Sequence, residues 1–289
     1  MRVSKKFVRM MAAAACGVCL STAGVASAAV IYGVSSNNNL LQFNSASPGT
    51  IDSSLAITGM LPGENTIGLD FRPANGGLYA LGSQSRLYTV DPNTGAATLV
   101  GALGLTLNGT QFGFDFNPVI DRIRVVSETD RNYVLDPNTG VATQVTNLFY
   151  GPADPNFGVN PNVVGSAYTN NVNGAASTQL YGIDTNIDIL VTQANSAGTL
   201  GTVGPLGSDV AAILGFDIEA GTNIAYAAML PSGGSISNLY TINLATGLAT
   251  NLGQINGGLT IVDITAAIPE PASVATLAAL GLLVGFRRR

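Results

Sequence analysis

The stretch Arg86–Leu103, RLYTVDPNTGAATLVGAL, returns as Asn132–Leu148, NYVLDPNTGVATQVTNL, with Asp91 and Asp136 45 residues apart. A second motif keeps the same register. Gly68-Leu69-Asp70-Phe71 is followed 45 residues later by Gly113-Phe114-Asp115-Phe116. It recurs as Gly215-Phe216-Asp217-Ile218 and, more loosely, as Ile261-Val262-Asp263-Ile264. Gly165-Ser166-Ala167-Tyr168 holds the phase between them, with Ala167 where Asp is expected. The steps from Gly68 through Gly215 are 45, 52 and 50 residues. A period of this size, built from short apolar runs, is that of a propeller blade.

Each unit reads as four strands. In one of them these are Ile67 to Phe71, Gly77 to Gly82, Arg86 to Val90 and Ala97 to Val100. Ile67, Leu69 and Phe71 alternate with Gly68 and Asp70, the period of a strand. DPNTG falls between the last two strands. Asp and Pro open a turn, Asn tolerates unusual dihedrals, and Gly supplies positive φ. Asp-x-Asn-x-Gly also begins a Ca²⁺ loop, but no later Glu completes one, so the turn reading stands.

Four full units span about 66–103, 111–148, 163–206 and 211–255. The remainder is divided between the ends. Val30 to Thr58 holds three strands, and Leu259 to Thr265 holds a first strand. The predicted fold is therefore an all-β, five-bladed propeller of four-stranded blades, with the C-terminal strand completing the first blade. Such closure leaves the ring no open edge. Six blades would require two between Gly104 and Pro161, which is too short, and one β-sandwich would not explain the in-phase repeat.

The ends read as addresses. Arg2, Lys5, Lys6 and Arg9 precede an apolar run from Met10 to Leu20, and Ala26-Ser27-Ala28 follows. That is the order of a secretory signal, with cleavage after Ala28. Cys16 has Ala13 three residues before it, a poor lipoprotein signal. At the other end Pro269-Glu270-Pro271 precedes an apolar stretch from Ala272 to Phe286, then Arg287-Arg288-Arg289. As a helix the stretch would be about 22 Å long, a marginal span for a hydrocarbon core of about 30 Å. The arginines would hold its end on the cytoplasmic face. The three domains are thus residues 1–28, 29–267 and 268–289.

The middle segment has an unusual charge composition. All of the 17 acids except Glu270 lie in it, but of the 12 bases only Arg72, Arg86, Arg122, Arg124 and Arg131 do. Sixteen acids against five arginines give it a formal charge of −11. Nucleic acid is excluded as a partner, because phosphate neutralisation needs the opposite sign. Both Lys and both Cys lie in the signal, and His and Trp are absent. Ser-His-Asp and Cys-His nucleophiles, a Schiff-base lysine, a disulfide and the usual zinc, haem and iron–sulfur ligands are therefore ruled out in the body. Carboxylates, Tyr, Ser, Thr, Asn and a few Arg remain. These suit a hard cation such as Ca²⁺ or carboxylate-pair hydrolysis.

Two constellations stand out. Asp70, Asp115, Asp217 and Asp263 recur on first strands, which line a propeller's channel, so they can form a cation-binding ring. The plainer alternative is that each bonds neighbouring backbone. Three of the five arginines fall in one unit. Arg122 and Arg124 alternate along a strand and share a face. With Asp121 and Asn117 beside them they form a candidate site for an anionic group such as a uronic acid or phosphate. The plainer alternative pairs them with Asp121, Glu128 or Asp130. The tyrosines mostly occupy strand positions and read as blade packing.

Three stretches carry a family resemblance: FDFNPVIDRIRVVSETDRNYVLDPNTG (Phe114–Gly140), GSAYTNNVNGAASTQLYGIDTNIDILVTQ (Gly165–Gln193) and GTLGTVGPLG (Gly198–Gly207). They resemble the DUF4394 domain over essentially the whole body. That resemblance implies a secreted or envelope β-propeller and no particular activity. The C-terminal tripartite segment resembles the PEP-CTERM sorting signal. It implies export, transient anchoring in an inner membrane and handling by an exosortase, after which the protein resides in the envelope, at the surface or outside. It also implies a glycan or matrix partner, since that group is linked to exopolysaccharide and biofilm. The reading is a non-catalytic binding propeller. The alternative, a carboxylate-dependent enzyme acting on carbohydrate, would need two or three carboxylates converging in one pocket, one of them poorly solvated. The body's glutamates, Glu64, Glu128 and Glu219, fall in no catalytic motif.

Overall fold

Short runs of Val, Leu, Ile, Tyr and Phe separated by Gly- and Asn-bearing turns fold into five antiparallel sheets arranged as a ring. The computed structural model describes residues 28–256 and 258–268. Most of the signal, including Ala26, and the sorting segment from Pro269 to Arg289 lie outside the described residues.

The first sheet takes β1 (Val30–Ser35), β2 (Asn39–Asn44) and β3 (Ile51–Ala56). The second takes β4 (Thr66–Phe71), β5 (Leu78–Gly82), β6 (Arg86–Val90) and β7 (Ala97–Ala102). The third takes β8 (Phe112–Asn117), β9 (Arg122–Ser127), β10 (Asn132–Leu135) and β11 (Ala142–Gln144). A two-residue strand, β12 (Phe149–Tyr150), precedes the fourth, which takes β13 (Val163–Tyr168), β14 (Leu180–Asp184), β15 (Ile189–Gln193) and β16 (Thr199–Pro205). The fifth takes β17 (Val210–Ile218), β18 (Ala225–Pro231), β19 (Asn238–Ile242) and β20 (Ala249–Gln254). The last strand, β21 (Ile261–Ala266), returns to the first sheet, whose order is β21-β1-β2-β3. Ile31 faces Ala266 and Gly33 faces Ile264 in that antiparallel closure. The described residues form a five-bladed β-propeller whose first and last strands are hydrogen-bonded into one blade.

The innermost strands β21, β4, β8, β13 and β17 pack side by side around the axis. This close approach explains the recurring glycine. A Cβ on Gly215 would lie 2.3 Å from the backbone nitrogen of Ile264. Each of five apolar clusters fills the space between two adjacent blades. Between the second and third, Leu81 and Leu87 meet Phe112, Phe114, Phe116 and Tyr133. Equivalent clusters fill the other four junctions.

Two features differ from the sequence reading. Inner strands have no solvent face. All six residues of β8 are buried, so the alternation of apolar and polar residues does not separate inside from outside there. And the fourth blade carries a fifth strand, because β12 pairs in parallel with β16, Phe149 opposite Thr199. The Tyr150 hydroxyl anchors it by donating to Asp184 Oδ2 at 2.5 Å.

The DPNTG segments are turns. Gly95 and Gly140 have φ of +73° and +78°. Each also touches the preceding blade, which the turn reading did not anticipate. Thr58 donates to the Gly95 carbonyl, and Gly140 packs on the backbone of Gly101. The repeat therefore encodes the seams between blades as well as the hairpins.

Candidate functional site

Three inner strands bring Asp70, Asp115 and Asp217 together at the axis. One carboxylate oxygen from each lies within 4.8 Å of the others. All three side chains, and Asp263 beside them, are buried. The phase of the repeat places them there, since each is the third residue of the same inner-strand motif.

Each Asp also bonds the inner strand of the following blade. Asp263 Oδ2 accepts from the Leu69 amide at 2.8 Å, and Asp70 Oδ2 from the Phe116 amide at 2.8 Å. Asp115 Oδ1 accepts from the Tyr168 amide at 3.1 Å, and Asp217 Oδ2 from the Ala266 amide at 2.6 Å. Ala167 breaks this chain in the fourth blade. The Thr265 hydroxyl lies between two carboxylates, 2.8 Å from Asp70 Oδ1 and 3.2 Å from Asp217 Oδ2. All four aspartates thus bond neighbouring backbone, as the plainer reading had it, and three of them also converge at the axis.

The electrostatics are one-sided. Burial pushes the carboxyls of Asp70, Asp115, Asp217 and Asp263 above the usual range, and for Asp70, Asp115 and Asp263 mutual repulsion adds to it. Among the described residues no ion pair reaches any of the four. Asp115 Oδ2 is buried and has no hydrogen-bond partner.

The arginine pair is divided by its surroundings. Arg124 stands opposite Asp115 in the β8–β9 ladder and is 3% exposed. Its guanidinium turns away from the axis and bonds neutral groups between blades three and four. Nη1 donates to Asn132 Oδ1 at 2.7 Å, Nε to the Tyr168 hydroxyl at 3.4 Å and Nη2 to Ser196 Oγ at 3.4 Å. Tyr168 in turn donates to Asn195 Oδ1 at 2.6 Å, and its burial raises its own pKa. Arg122 is half-exposed and lies 3.4 Å from Asp136 Oδ2. It lines an open cleft of ≈ 590 Å³ together with Asp136, Thr139, Thr143, Val145 and Ser196. Ser196 is therefore shared: it lines the cleft and holds Arg124 behind it.

The other residues of that candidate site lie elsewhere. Asp121 forms a two-pronged ion pair with Arg72, whose Nη1 also reaches Asn138 Oδ1 at 3.0 Å and the Tyr79 hydroxyl at 3.1 Å. That pairing holds the Arg72 guanidinium above its usual range. Asn117 Oδ1 accepts from the amides of Val119 and Ile120 and shapes the β8–β9 turn. Neither lines the cleft. The glutamates are also in use locally. Glu64 accepts from the Tyr88 hydroxyl at 2.6 Å, Glu128 from the Thr110 and Gln111 amides, and Glu219 from the Thr222 hydroxyl.

The sequence identified the axial aspartates but missed Thr265, Arg72, Asn132 and Ser196. Thr265 had a readable signal, its place two residues after Asp263 on the same strand face. Ser196 had none, being 72 residues from Arg124.

The family model described as Domain of unknown function (DUF4394) matches residues 39–265. No curated protein sequence matches the chain. Among solved structures, a chain of a nidogen/laminin complex is similar at 13% identity, over 83% of this chain and 98% of that one, with a TM-score of 0.49. A structural-genomics protein of unknown function from Bacteroides thetaiotaomicron is similar at 14% identity, over 84% of this chain and 68% of that one, with a TM-score of 0.52. At such identity the second likeness is one of fold alone.

Proposed function

The chain belongs to the DUF4394 family, and from that premise we propose that it is an exported, non-catalytic propeller that binds an acidic glycan of the cell envelope or its matrix. The single observation that carries the binding role is the cleft on blade three. Arg122 offers a half-exposed guanidinium there, Thr139, Thr143 and Ser196 offer hydroxyls, and Val141 and Val145 offer an apolar floor. Charge, hydroxyls and apolar surface together suit a sugar ring bearing a carboxylate. The loose contact with Asp136 leaves Arg122 free to exchange one carboxylate for another.

Export and sorting rest on the order of charged, apolar and small residues at the N-terminus and on the Pro269-to-Arg289 segment. Exosortase handling and a matrix location follow from that segment. The carboxylates that converge are sealed at the axis, where a glycosidic bond has no access, which favours binding over hydrolysis.

Calorimetric titration of the purified protein with a uronic-acid oligosaccharide and with its neutral counterpart tests the reading. Saturable binding of the acidic sugar, weakened at least tenfold by Arg122→Gln, is expected. Equal binding of both sugars, or no loss in the variant, overturns it.

A further inference from the structure

We propose that the propeller axis is a metal site in which Asp70, Asp115 and Asp217 hold one hard divalent cation of the Ca²⁺ class. The inference is independent of the glycan reading, because the axis and the blade-three cleft share no residue.

Three observations carry it. The first is spacing. Ca²⁺ binds oxygen at about 2.3–2.6 Å, so two ligands on opposite sides of it stand about 4.6–5.2 Å apart. The axial oxygens lie within 4.8 Å of one another and fall inside that limit. Mg²⁺, at about 2.0–2.1 Å, demands a tighter octahedral set.

The second is the account of lone pairs. Asp115 Oδ2 is buried and has no hydrogen-bond partner, in a place closed to bulk water. A buried, unpaired carboxylate oxygen costs free energy that a cation would offset. Asp70 and Asp217 also accept from the chain, Asp70 from the Phe116 amide and the Thr265 hydroxyl, Asp217 from the Ile218 and Ala266 amides, and each of those oxygens keeps a second lone pair. Asp263, bonded to the Leu69 amide at 2.8 Å and the Ile264 amide at 2.9 Å, lies outside the converging group and serves as a bond between blades. The fourth blade presents only the Ala167 methyl at the equivalent position, so three blades supply the carboxylates, with the Thr265 hydroxyl between Asp70 and Asp217.

The third is charge. Three clustered carboxylates in a dry interior need neutralising. Arg124, although opposite Asp115 in the ladder, sends its guanidinium to Asn132, Tyr168 and Ser196. A dication fills that role. The competing arrangement is a proton shared between Asp115 and Asp217, whose side chains approach closely enough for it.

The test uses the full-length protein in detergent, stripped with a chelator and dialysed. Elemental analysis after re-addition of Ca²⁺ is expected to find one ion per chain. The thermal midpoint is expected to rise saturably with Ca²⁺ and much less with Mg²⁺. Asp115→Asn should lower Ca²⁺ affinity more than about 100-fold, beyond the loss usual for residues that merely support ligands. In chelator the same variant should be at least as stable as the parent, because it removes one repelling charge, so the sign of its effect reverses with Ca²⁺. Asp263→Asn should leave the metal count unchanged. Absence of stoichiometric Ca²⁺ from the unaltered protein, with no shift in midpoint, overturns the site in favour of shared protons. That result needs no variant to fold. Arg122→Gln should leave Ca²⁺ binding untouched, which separates failure here from failure of the glycan reading.

Discussion

The axis and the seam between blades three and four both bury charge, and they treat it in opposite ways. At the axis, Asp70, Asp115, Asp217 and Asp263 gather like charges, and among the described residues no cationic side chain pairs with them. At the seam, Arg124 is one guanidinium dispersed over three neutral acceptors, Asn132, Tyr168 and Ser196. The chain itself supplies an acceptor there to each guanidinium nitrogen of Arg124. The axis is left with an unmatched oxygen on Asp115 and with surplus negative charge. Burial alone therefore does not distinguish a structural charge from a ligand site. What distinguishes them is whether the chain provides the compensating groups.

That contrast can be broken at its stronger side first. Arg124→Ala removes the donor that Asn132 Oδ1, the Tyr168 hydroxyl and Ser196 Oγ share, and leaves a void between two blades. We expect a loss of about 3 kcal/mol, the scale of a buried charged hydrogen-bonding group. Urea unfolding should show a lower midpoint with an unchanged slope. A change under about 1 kcal/mol would mean that the seam relaxes around the lost guanidinium. Arg124→Lys should recover only part of the loss, since an ammonium lacks the planar fork.

The axis is expected to respond to pH with the opposite sign from an ordinary salt-bridged acid. Its carboxyls titrate above the usual range in the folded state, with burial the main cause. Unfolded Asp titrates near about 4. Between the unfolded and folded values the native state holds more protons, so stability falls as pH rises through that window and is greatest below it. Chelated protein should therefore gain stability as pH falls from neutral towards about 4. Tyr168, already raised by burial, stays protonated in this window and does not offset the trend. With Ca²⁺ present, protons and metal compete for the same oxygens, and the slope should flatten or reverse. Urea titrations at several pH values, with and without Ca²⁺, measure both slopes. A chelated protein that instead gained stability with rising pH would show that these carboxyls are not held protonated.

The same contrast explains what was legible in the sequence. The axial aspartates were readable because every blade repeats one inner-strand motif, and a repeat converts position in sequence into position around the axis. Blade number and closure by β21 followed from the same phase. The seam was not readable in that way. Ser196 and Asn195 belong to a short 3-10 turn in a blade that lacks the DPNTG turn, so no repeat predicted that Arg124 would meet them. Strand β12 escaped for a related reason, since two residues show no period. The burial of both faces of β8 was hidden because alternation is a signal only where one face meets water. Arg122 and Arg124 were rightly placed on one strand, β9, but the partners that separate their roles come from β10, the β10–β11 turn and blade four.

The smallest expected effect on stability falls on Arg122. Its contact with Asp136 is 3.4 Å long and both side chains are about a third exposed or more, at 41% and 32%. Solvent screens such a pair, and its contribution is at most about 0.5 kcal/mol. Arg122→Gln should therefore leave the urea midpoint within error of the parent while weakening binding of an acidic sugar. Arg124→Ala should do the reverse in proportion, losing stability first and sugar binding only as Ser196 shifts. If both variants lose binding and stability together, cleft and seam are one unit, and the division drawn between a structural and a ligand-facing arginine fails. If Arg122→Gln alone loses binding, two arginines two residues apart on a strand serve separate ends, with Ser196 marking the boundary between them.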